Sequence, residues 1–582
     1  MRNKTIILAL LLLTGTLAKA VEKYAIGMFH FNLQYVAGDY RIERRIIQES
    51  FYPVLQFFEK HPQYKADIEI QGYAIEVFAN EYPEVLALFK KLVNKGQIEL
   101  VIAHYSDQLF IAYPALDLKK SIEISDRILA AHGMKRSRVF FGQEIQWTPA
   151  YASALKDQYD LVVTSSDPHS YYRGKTLPLV NVQYGNDHIL GLIGAGEKKL
   201  DGLEWDWSFL DDGEVFNTND YNSNFYRVAA QEKASVDQFK KLEADGYKFV
   251  TMSDLANKIR NSKGYKIPDY PFVPEGTWNM SVCGPFMWMG RQRSGVETDG
   301  ITRAISYELR GEVMMTEKLV EHLEANGHAL PELKKLVDEA WQHLLLSEVS
   351  DASGWSPWLV EVKYTEIEAD QAEQKLKEVY AKLKELLPKD KTILIDTRSG
   401  NVAPYESAPK GITSAAQLPI PFAIRAEQST SRVRKINENL YLLDISCDRP
   451  ADGAVEIVFD TPSNGLWYSA GAGEEIAVEI PTDLKQNPAF CLSNGFIYLN
   501  NGYSLIKDCS VEHLAATWRQ KEQKLVFREE LNEKNPGMKM RFYVVKGDLK
   551  SGLNFANKLN TWPSYLVTNS GKQLKFERVI PE

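Results

Sequence analysis

Cysteine is scarce in this chain. Four occur in 582 residues, Cys283, Cys447, Cys491 and Cys509, and none stand in CxxC spacing. That excludes a sequence-adjacent zinc cluster and a disulfide framework, which needs a higher density. One pair among Cys447, Cys491 and Cys509, or buried free thiols, remain the two readings. Histidine is equally sparing: there are ten, and no two lie three to five residues apart. The helical histidine pair of a zinc protease is therefore missing. Positive charge is in deficit, 68 Lys and Arg against 77 Asp and Glu, for a formal net charge of -9. Such a balance argues against nucleic acid as a partner. After residue 20 no apolar run is long enough to cross a bilayer, so no integral membrane segment is expected. The first strand-like run, Tyr24 to Phe31, is not followed by GxGxxG, and no GxSxG occurs. A nucleotide fold and a serine-hydrolase elbow are both disfavoured. The sequence has no internal repeat and no low-complexity run.

What is present begins with MRNKTIILALLLLTGTLAKA. Arg2 and Lys4 precede an apolar stretch, Ile6 to Leu13, and Ala18-Lys19-Ala20 follows. These are the three parts of a signal peptide. The expectation is a mature start near Val21 and a periplasmic or secreted protein. At 44% hydrophobic and 25% charged the composition is globular, and the length calls for two or three domains. The 29 Tyr, 25 Phe and 11 Trp furnish large aromatic cores, or platforms on which sugar rings stack.

From residue 23 to about 260, short apolar runs alternate with amphipathic helical stretches. Strands are expected at Tyr24 to Phe31, Ala66 to Gln71, Ile98 to Ala103, Val139 to Phe141, Leu161 to Thr164 and Phe249 to Thr251. Helices are expected at Tyr52 to Lys60, Tyr82 to Asn94, Leu118 to Ala131, Ala150 to Gln158, Ser235 to Gly246 and Leu255 to Arg260. This βαβα rhythm predicts an α/β domain with a parallel sheet, either a barrel or an open doubly wound sheet. Helices follow at Ile305 to Ala325, Pro331 to Leu345 and Ala369 to Leu387. Beyond Pro388 the runs at 453–460, 474–481, 524–531 and 538–545 alternate between turn signals, as in an antiparallel β-sandwich.

Polar residues just after barrel strands face the ligand. Those so placed are His30, Asn32 and Gln34; His104, Ser106 and Asp107; Glu144; and Ser165, Ser166 and Asp167. Two aromatic-rich segments add Asp206, Asp211, Asp212 and Glu214, then Glu275, Trp278 and Trp288. Glycoside cleavage needs two carboxyl groups, one to protonate the leaving oxygen and one to attack the anomeric carbon or activate water. Glu144 with one acid of the DDGE run meets that need. Each has a plainer reading: Glu144 as a helix N-terminal acid, DDGE as a solvated turn.

Five segments resemble glycoside hydrolase family 57 over roughly residues 24 to 360. They are FHFNLQY (29–35), YPEVLALFKKLVNKGQIELVIAHYSDQLFIAYP (82–114), GQEIQWTPA (142–150), DDGEVF (211–216) and VPEGTWN (273–279) with the MWM after it. The resemblance implies Glu144 as nucleophile and Asp212 as general acid/base. It also implies His30, Asn32, His104, Trp147, Trp278, Asp351 and Trp355 as sugar-binding residues. The chain departs from the family pattern at Asn32, at Ser106-Asp107 and at Asn217, which bears on substrate and linkage. SDASGWSPW (350–358) is similar to a turn of the family 38 α-mannosidases, which hold zinc through His-x-Asp and a second histidine. Here Asn32 and Ser350 stand in those places, so no metal and no cofactor are expected.

The expectation is thus a signal peptide (1–20), an incomplete (β/α)7-type catalytic barrel (21–300), a helical subdomain (301–390) and a C-terminal antiparallel β-sandwich (391–582). The resemblance makes it a retaining glycosidase or transglycosylase on α-linked oligo- or polysaccharide, α-glucan first. The competing readings are a non-catalytic glycan-binding protein on a decayed barrel, and a metal-dependent α-mannosidase or deacetylase-like enzyme.

Overall fold

The computed structural model describes residues 21–581 other than 103, 175, 195–197, 201, 216–227, 263–265, 271, 279, 281–298, 353–358, 406–413, 427, 449–452, 463–464, 486–488, 491–494, 512–515 and 532–536. The expected signal peptide, Cys283, Cys491, Trp288 and Trp355 lie outside the described residues. Cys447 and Cys509 are both buried.

Among the described residues the N-terminal half carries ten strands: β1 (Glu22–Phe31), β2 (Ala66–Ile70), β3 (Ile98–Val101), β4 (Val139–Phe141), β5 (Leu161–Thr164), β6 (Leu179–Tyr184), β7 (Asp187–Ile193), β8 (Lys199–Leu200), β9 (Leu203–Asp212) and β10 (Lys248–Phe249). Eight residues of β1, Tyr24 to Phe31, are buried in succession. Burial on both faces is what a central parallel strand requires, and it explains the unbroken apolar run. Parallel ladders join β1 to β2, β9 and β10, and β2 to β3. A second sheet joins β4 to β5 and β5 to β7 in parallel, with β6 antiparallel to β7.

The strand-helix alternation is therefore as the sequence predicts, with several ends matching to the residue. One example is the helix Pro83–Asn94, which buries Val85, Phe89 and Leu92 on one face and is stopped by Gly96 at φ +66°. The strands expected to form a barrel lie in two sheets. Among the described residues no ladder joins β3 to β4 or β7 to β9. A single bond, Ser137 N–H to the Leu100 carbonyl (2.8 Å), spans the first gap. Two elements run against expectation. The β6–β7 hairpin interrupts the parallel order, and the segment up to Asp212, not among the expected strands, is strand β9. Its aromatic residues Trp205 and Trp207 alternate with acids, which is a strand period.

Helix α1 (Ala115–Ala131) buries Ile124, Ile128 and Leu129 in the same core as Ile68 of β2 and Leu100 of β3. Three long helices follow, α2 (Asp299–Ala325), α3 (Pro331–Leu346) and α4 (Leu359–Leu386), packed around Trp341, Leu344, Leu376 and Val379. A buried ion pair ties α2 to α1: Arg310 lies 2.6 Å from Asp117 and 3.6 Å from Glu348. The turn after α3 is thereby fixed. Its Ser350 N–H donates to the Asp107 carbonyl at 2.7 Å.

The C-terminal part has an eight-stranded and a five-stranded antiparallel sheet with Phe459, Phe527 and Phe542 packed together. The runs at 453–460, 524–531 and 538–545 are strands. The run at 474–481 pairs only over Val478–Glu479; its start is a turn, in which the Ile476 N–H donates to the Gly473 carbonyl at 3.1 Å. A separate four-stranded sheet joins Lys391–Asp396 to the last two strands, Ser564–Asn569 and Leu574–Val579. A helix at Leu549–Ala556 was not legible in the alternation.

Candidate active site

A cavity of about 420 Å3 opens at the C-terminal ends of β1, β4 and β9. These are the ends from which ligand-facing residues project in α/β folds. The segment after β4 contributes Glu144. Gly142 ends the strand, and a single turn, Gln143–Ile145, follows. Within it Glu144 and Ile145 have φ of 57° and 41°. Left-handed backbone is uncommon outside glycine and unusual for a β-branched residue. Each such residue costs on the order of 1–3 kcal/mol and persists only where its surroundings over-determine it. The strain aims the Glu144 carboxylate into the cavity. There the Trp278 indole N–H donates to Glu144 Oε2 at 2.5 Å, and the Trp278 backbone N–H donates to the Glu144 carbonyl at 3.3 Å.

Strand β9 ends at Asp212, in register with His30 of β1. Asp212 and Asp211 line the mouth and Glu214 the wall. Behind them, His30 Nδ1 is hydrogen-bonded to Glu69 Oε2 across the β1–β2 ladder. Asn32 is a bridge. Its Nδ2 donates to Asp107 (2.6 Å) and Asp351 (3.0 Å), its Oδ1 accepts the Gln34 N–H (2.7 Å), and its own N–H donates to Glu214 (2.6 Å). Ser350 Oγ adds a bond to Asp107 at 3.0 Å.

So many acids around one cavity cannot all ionise. Burial pushes the Glu144 carboxyl up to about 7, against the Trp278 bond that lowers it; the Asp212 charge raises it further. Burial also raises Asp212, opposed by His30 and reinforced by Asp211. Asp107, Glu214 and Asp351 are raised well above the carboxylate range, burial being the first cause in each. Burial would lower His30, but Glu69 outweighs it and holds the ring charged. Among the described lining residues no Lys or Arg occurs. The cavity thus has carboxyls, an imidazolium, an amide and an indole: a set that fits neutral hydroxyl-bearing ligands.

These raised carboxyls have a consequence for stability. A folded-state pKa above the unfolded value means stability is lost as pH rises through it. His104 and His169, lowered to about 3 by burial, act only below the unfolded histidine range. From about pH 6.5 to 9, therefore, the ligand-free protein should lose a few degrees of melting temperature, and Asp351→Asn should flatten that slope. A melting temperature that rises over this interval in calorimetry would contradict the burial of these acids.

Of the residues implied by the sequence, the cavity gathers Glu144, Asp212, His30, Asn32, Trp278 and Asp351. Two are placed elsewhere. Trp147 is fully buried, its indole N–H donating to the Val273 carbonyl at 3.0 Å and its ring against His169 and Tyr270. The left-handed turn at Glu144 sends residue 147 into the core, and Trp278 takes the position at the cavity. His104 is fully buried, 3.8 Å from Glu69, and does not line the cavity. Glu69 was missed. Its signal was Asp67 and Glu69 within ADIEI, two acids in a strand that is buried throughout. As for a family 38 zinc site, Asn32 does not fit it: its amide is committed to two carboxyls and its oxygen to Gln34.

A model of glycosyl hydrolase family 57 matches residues 22–239, which hold His30, Glu144 and Asp212. An alpha-amylase of Pyrococcus horikoshii is 27% identical over 128 residues, 22% of this chain and 20% of that protein. A 4-alpha-glucanotransferase of Thermococcus litoralis is 24% identical over 120 residues, 21% of this chain and 18% of that protein. The chain thus spans about a fifth of the length of the curated relatives it matches. An alpha-mannosidase structure from Enterococcus faecalis superposes with a TM-score of 0.60 at 8% identity, over 96% of this chain and 90% of that one. At that identity the likeness is one of fold.

Proposed function

We propose that this protein is a retaining glycoside hydrolase or transglycosylase acting on α-linked glycans, α-glucan first. The observation that carries the reading is the convergence of Glu144 from β4 and Asp212 from β9 on one cavity, with the Trp278 indole bonded to Glu144. The family 57 match over residues 22–239 supports it. We read the two sheets as arcs of one interrupted (β/α)7-type barrel, and residues 1–20 as a signal for export to the periplasm or beyond.

In the first step Glu144 attacks the anomeric carbon while Asp212 protonates the leaving oxygen, giving a glycosyl ester on Glu144. In the second Asp212, now a base, takes a proton from water or an acceptor hydroxyl, which displaces Glu144. The Trp278 N–H favours Glu144 as a carboxylate. The charge of His30 eases both steps by offsetting the surrounding acids. Asp351, held neutral, offers a hydroxyl to the sugar as well as an acceptor.

Incubation of the purified chain with maltooligosaccharides and α-aryl glycosides tests this. Expected are shorter or redistributed chains, with the anomeric configuration kept at first release by NMR. Binding without any bond cleavage across the panel would instead establish the glycan-binding reading.

A further inference from the structure

We propose that the C-terminal sandwich is part of the catalytic apparatus: its loop 468–474 clamps the turn that carries Glu144, with Glu275 as the fastening and Thr148 as a second one. The proposal rests on Glu144 being the reacting carboxylate, and it gives Glu275 a positioning role, since its carboxyl does not line the cavity.

The loop lies against the N-terminal half with no room to spare. A Cβ on Gly471 would meet the Ile111 carbonyl oxygen at 2.5 Å, and one on Gly473 would meet Ala150 Cβ at 2.5 Å. That closeness is what the two glycines in SAGAGEE allow. From this loop the Gly471 N–H donates to Glu275 Oε1 at 2.5 Å and the Tyr468 hydroxyl to Glu275 Oε2 at 2.9 Å. The Thr148 hydroxyl donates to the Gly471 carbonyl at 2.7 Å. Next to Glu275, Gly276 pairs in both directions with Trp147, at 2.7 and 3.0 Å. Two residues on, Trp278 holds Glu144 by backbone and side chain. A continuous run of bonds therefore leads from Tyr468 and Gly471 through Glu275, Gly276 and Trp147 to Trp278 and Glu144.

The strained backbone says what this run is for. Glu144 and Ile145 are both left-handed, and such a pair relaxes unless held from both sides. On one side β4 ends the barrel strand, and Gln146 is tied to the Ile111 N–H and the Gln108 carbonyl. On the other side the hold comes from Gly276, Trp278 and, through Glu275 and Thr148, the sandwich. Glu275 is a fully buried carboxyl, pushed up to about 7 by burial. Burying an ionisable group is costly for a joint that only needs to adhere.

The test uses the full chain with Thr148→Val, Glu275→Leu, which removes both acceptor oxygens, and Gly471→Ala. Groups facing Glu144 are unchanged in all three: Asp212 of β9, His30 of β1, Asp107, Gln143, and Asp351 of the turn after α3. With Trp278 displaced, Glu144 loses the bond that lowers it, so the acid limb of kcat/KM should move to higher pH from its wild-type position near 7. In the folded variants kcat should fall about 10- to 100-fold with KM nearly constant. A second readout needs no turnover: the Trp278 emission, taken as the difference between the wild type and Trp278→Phe, should titrate near pH 7 and should lose that titration in the variants. If the wild type cleaves no glycan, this emission alone decides the clamp and the functional reading fails separately. If Gly471→Ala does not fold, the near-isosteric Thr148→Val and the similar-sized Glu275→Leu decide. Folded variants that keep the wild-type acid limb and Trp278 titration overturn the proposal, even if kcat falls, because lost stability alone would do that.

Discussion

Glu144→Gln should abolish glycan turnover, by about 10⁴-fold or more, while leaving the protein folded. The loss follows from chemistry: an amide neither attacks the anomeric carbon nor leaves as a carboxylate. The fold should survive because the substitution is isosteric and the Trp278 indole can still donate to the amide oxygen, as it does to Glu144 Oε2. Stability should even improve on the alkaline side. The wild-type carboxyl is raised to about 7 by burial, so above that pH folding must bury a charge that glutamine lacks. The measurement is kcat on a maltooligosaccharide together with melting temperature at pH 6 and 8. Turnover within tenfold of wild type in a folded variant would remove Glu144 from the reaction.

The turn that makes this glutamate useful explains why part of the site was legible and part was not. A strand of three apolar residues, a glycine and an acid could be read in FFGQE, and so could the acids after Phe209. The residue types and the strand rhythm sufficed. What one cannot read from the sequence is backbone sign. Glu144 and Ile145 turn left-handed, and that reverses the side on which Trp147 falls. A forward reading puts Trp147 beside the sugar; the actual turn buries it over His169 and leaves the cavity to Trp278, 131 residues later in the EGTW segment. The pairing of these two segments, Trp147 with Gly276, is a non-local bridge that no local periodicity records.

His104 and Glu69 fail in a related way. Both lie at strand ends or within strands where polar residues point inward, and both are buried. Whether an inward polar residue meets ligand or only supports one that does depends on depth, which alternation does not report. Here His30 is the outer member and Glu69 its inner partner. The sandwich was legible as strands but not as a neighbour. Its runs at 453–460, 524–531 and 538–545 gave its strands, while the loop that reaches the turn carrying Glu144 is a stretch of small residues, SAGAGEE, with no pattern beyond its glycines. Close approach is the property those glycines encode, and approach to what is a tertiary fact.

Asp212→Asn should separate the two carboxyls by role. Cleavage of an unactivated glucan should fall by about 10²–10⁴-fold, the usual yield of a positioned general acid. With an α-glycosyl fluoride or a dinitrophenyl α-glycoside, whose leaving group departs without a proton, the first step should return towards the wild-type rate. The glycosyl ester on Glu144 should then accumulate, since no base remains to activate the acceptor, and mass spectrometry of the 140–150 region would find it. The electrostatics make this more than a formality. Glu144 is the acid with a value near 7, and a raised carboxyl is the ordinary mark of a proton donor. Asp212 is raised as well, with His30 opposing the shift. The two groups feel each other, so the proton they share belongs to the pair. The Trp278 N–H favours the charged form of Glu144 and thereby sends that proton to Asp212. If activated substrates restore Glu144→Gln and leave Asp212→Asn inert, the proton resides on Glu144 and the roles are exchanged. If they restore neither, the pair is not the catalytic one. Rescue of Asp212→Asn alone, lost again when Trp278→Phe is added, would show that the indole bond sets which carboxyl attacks.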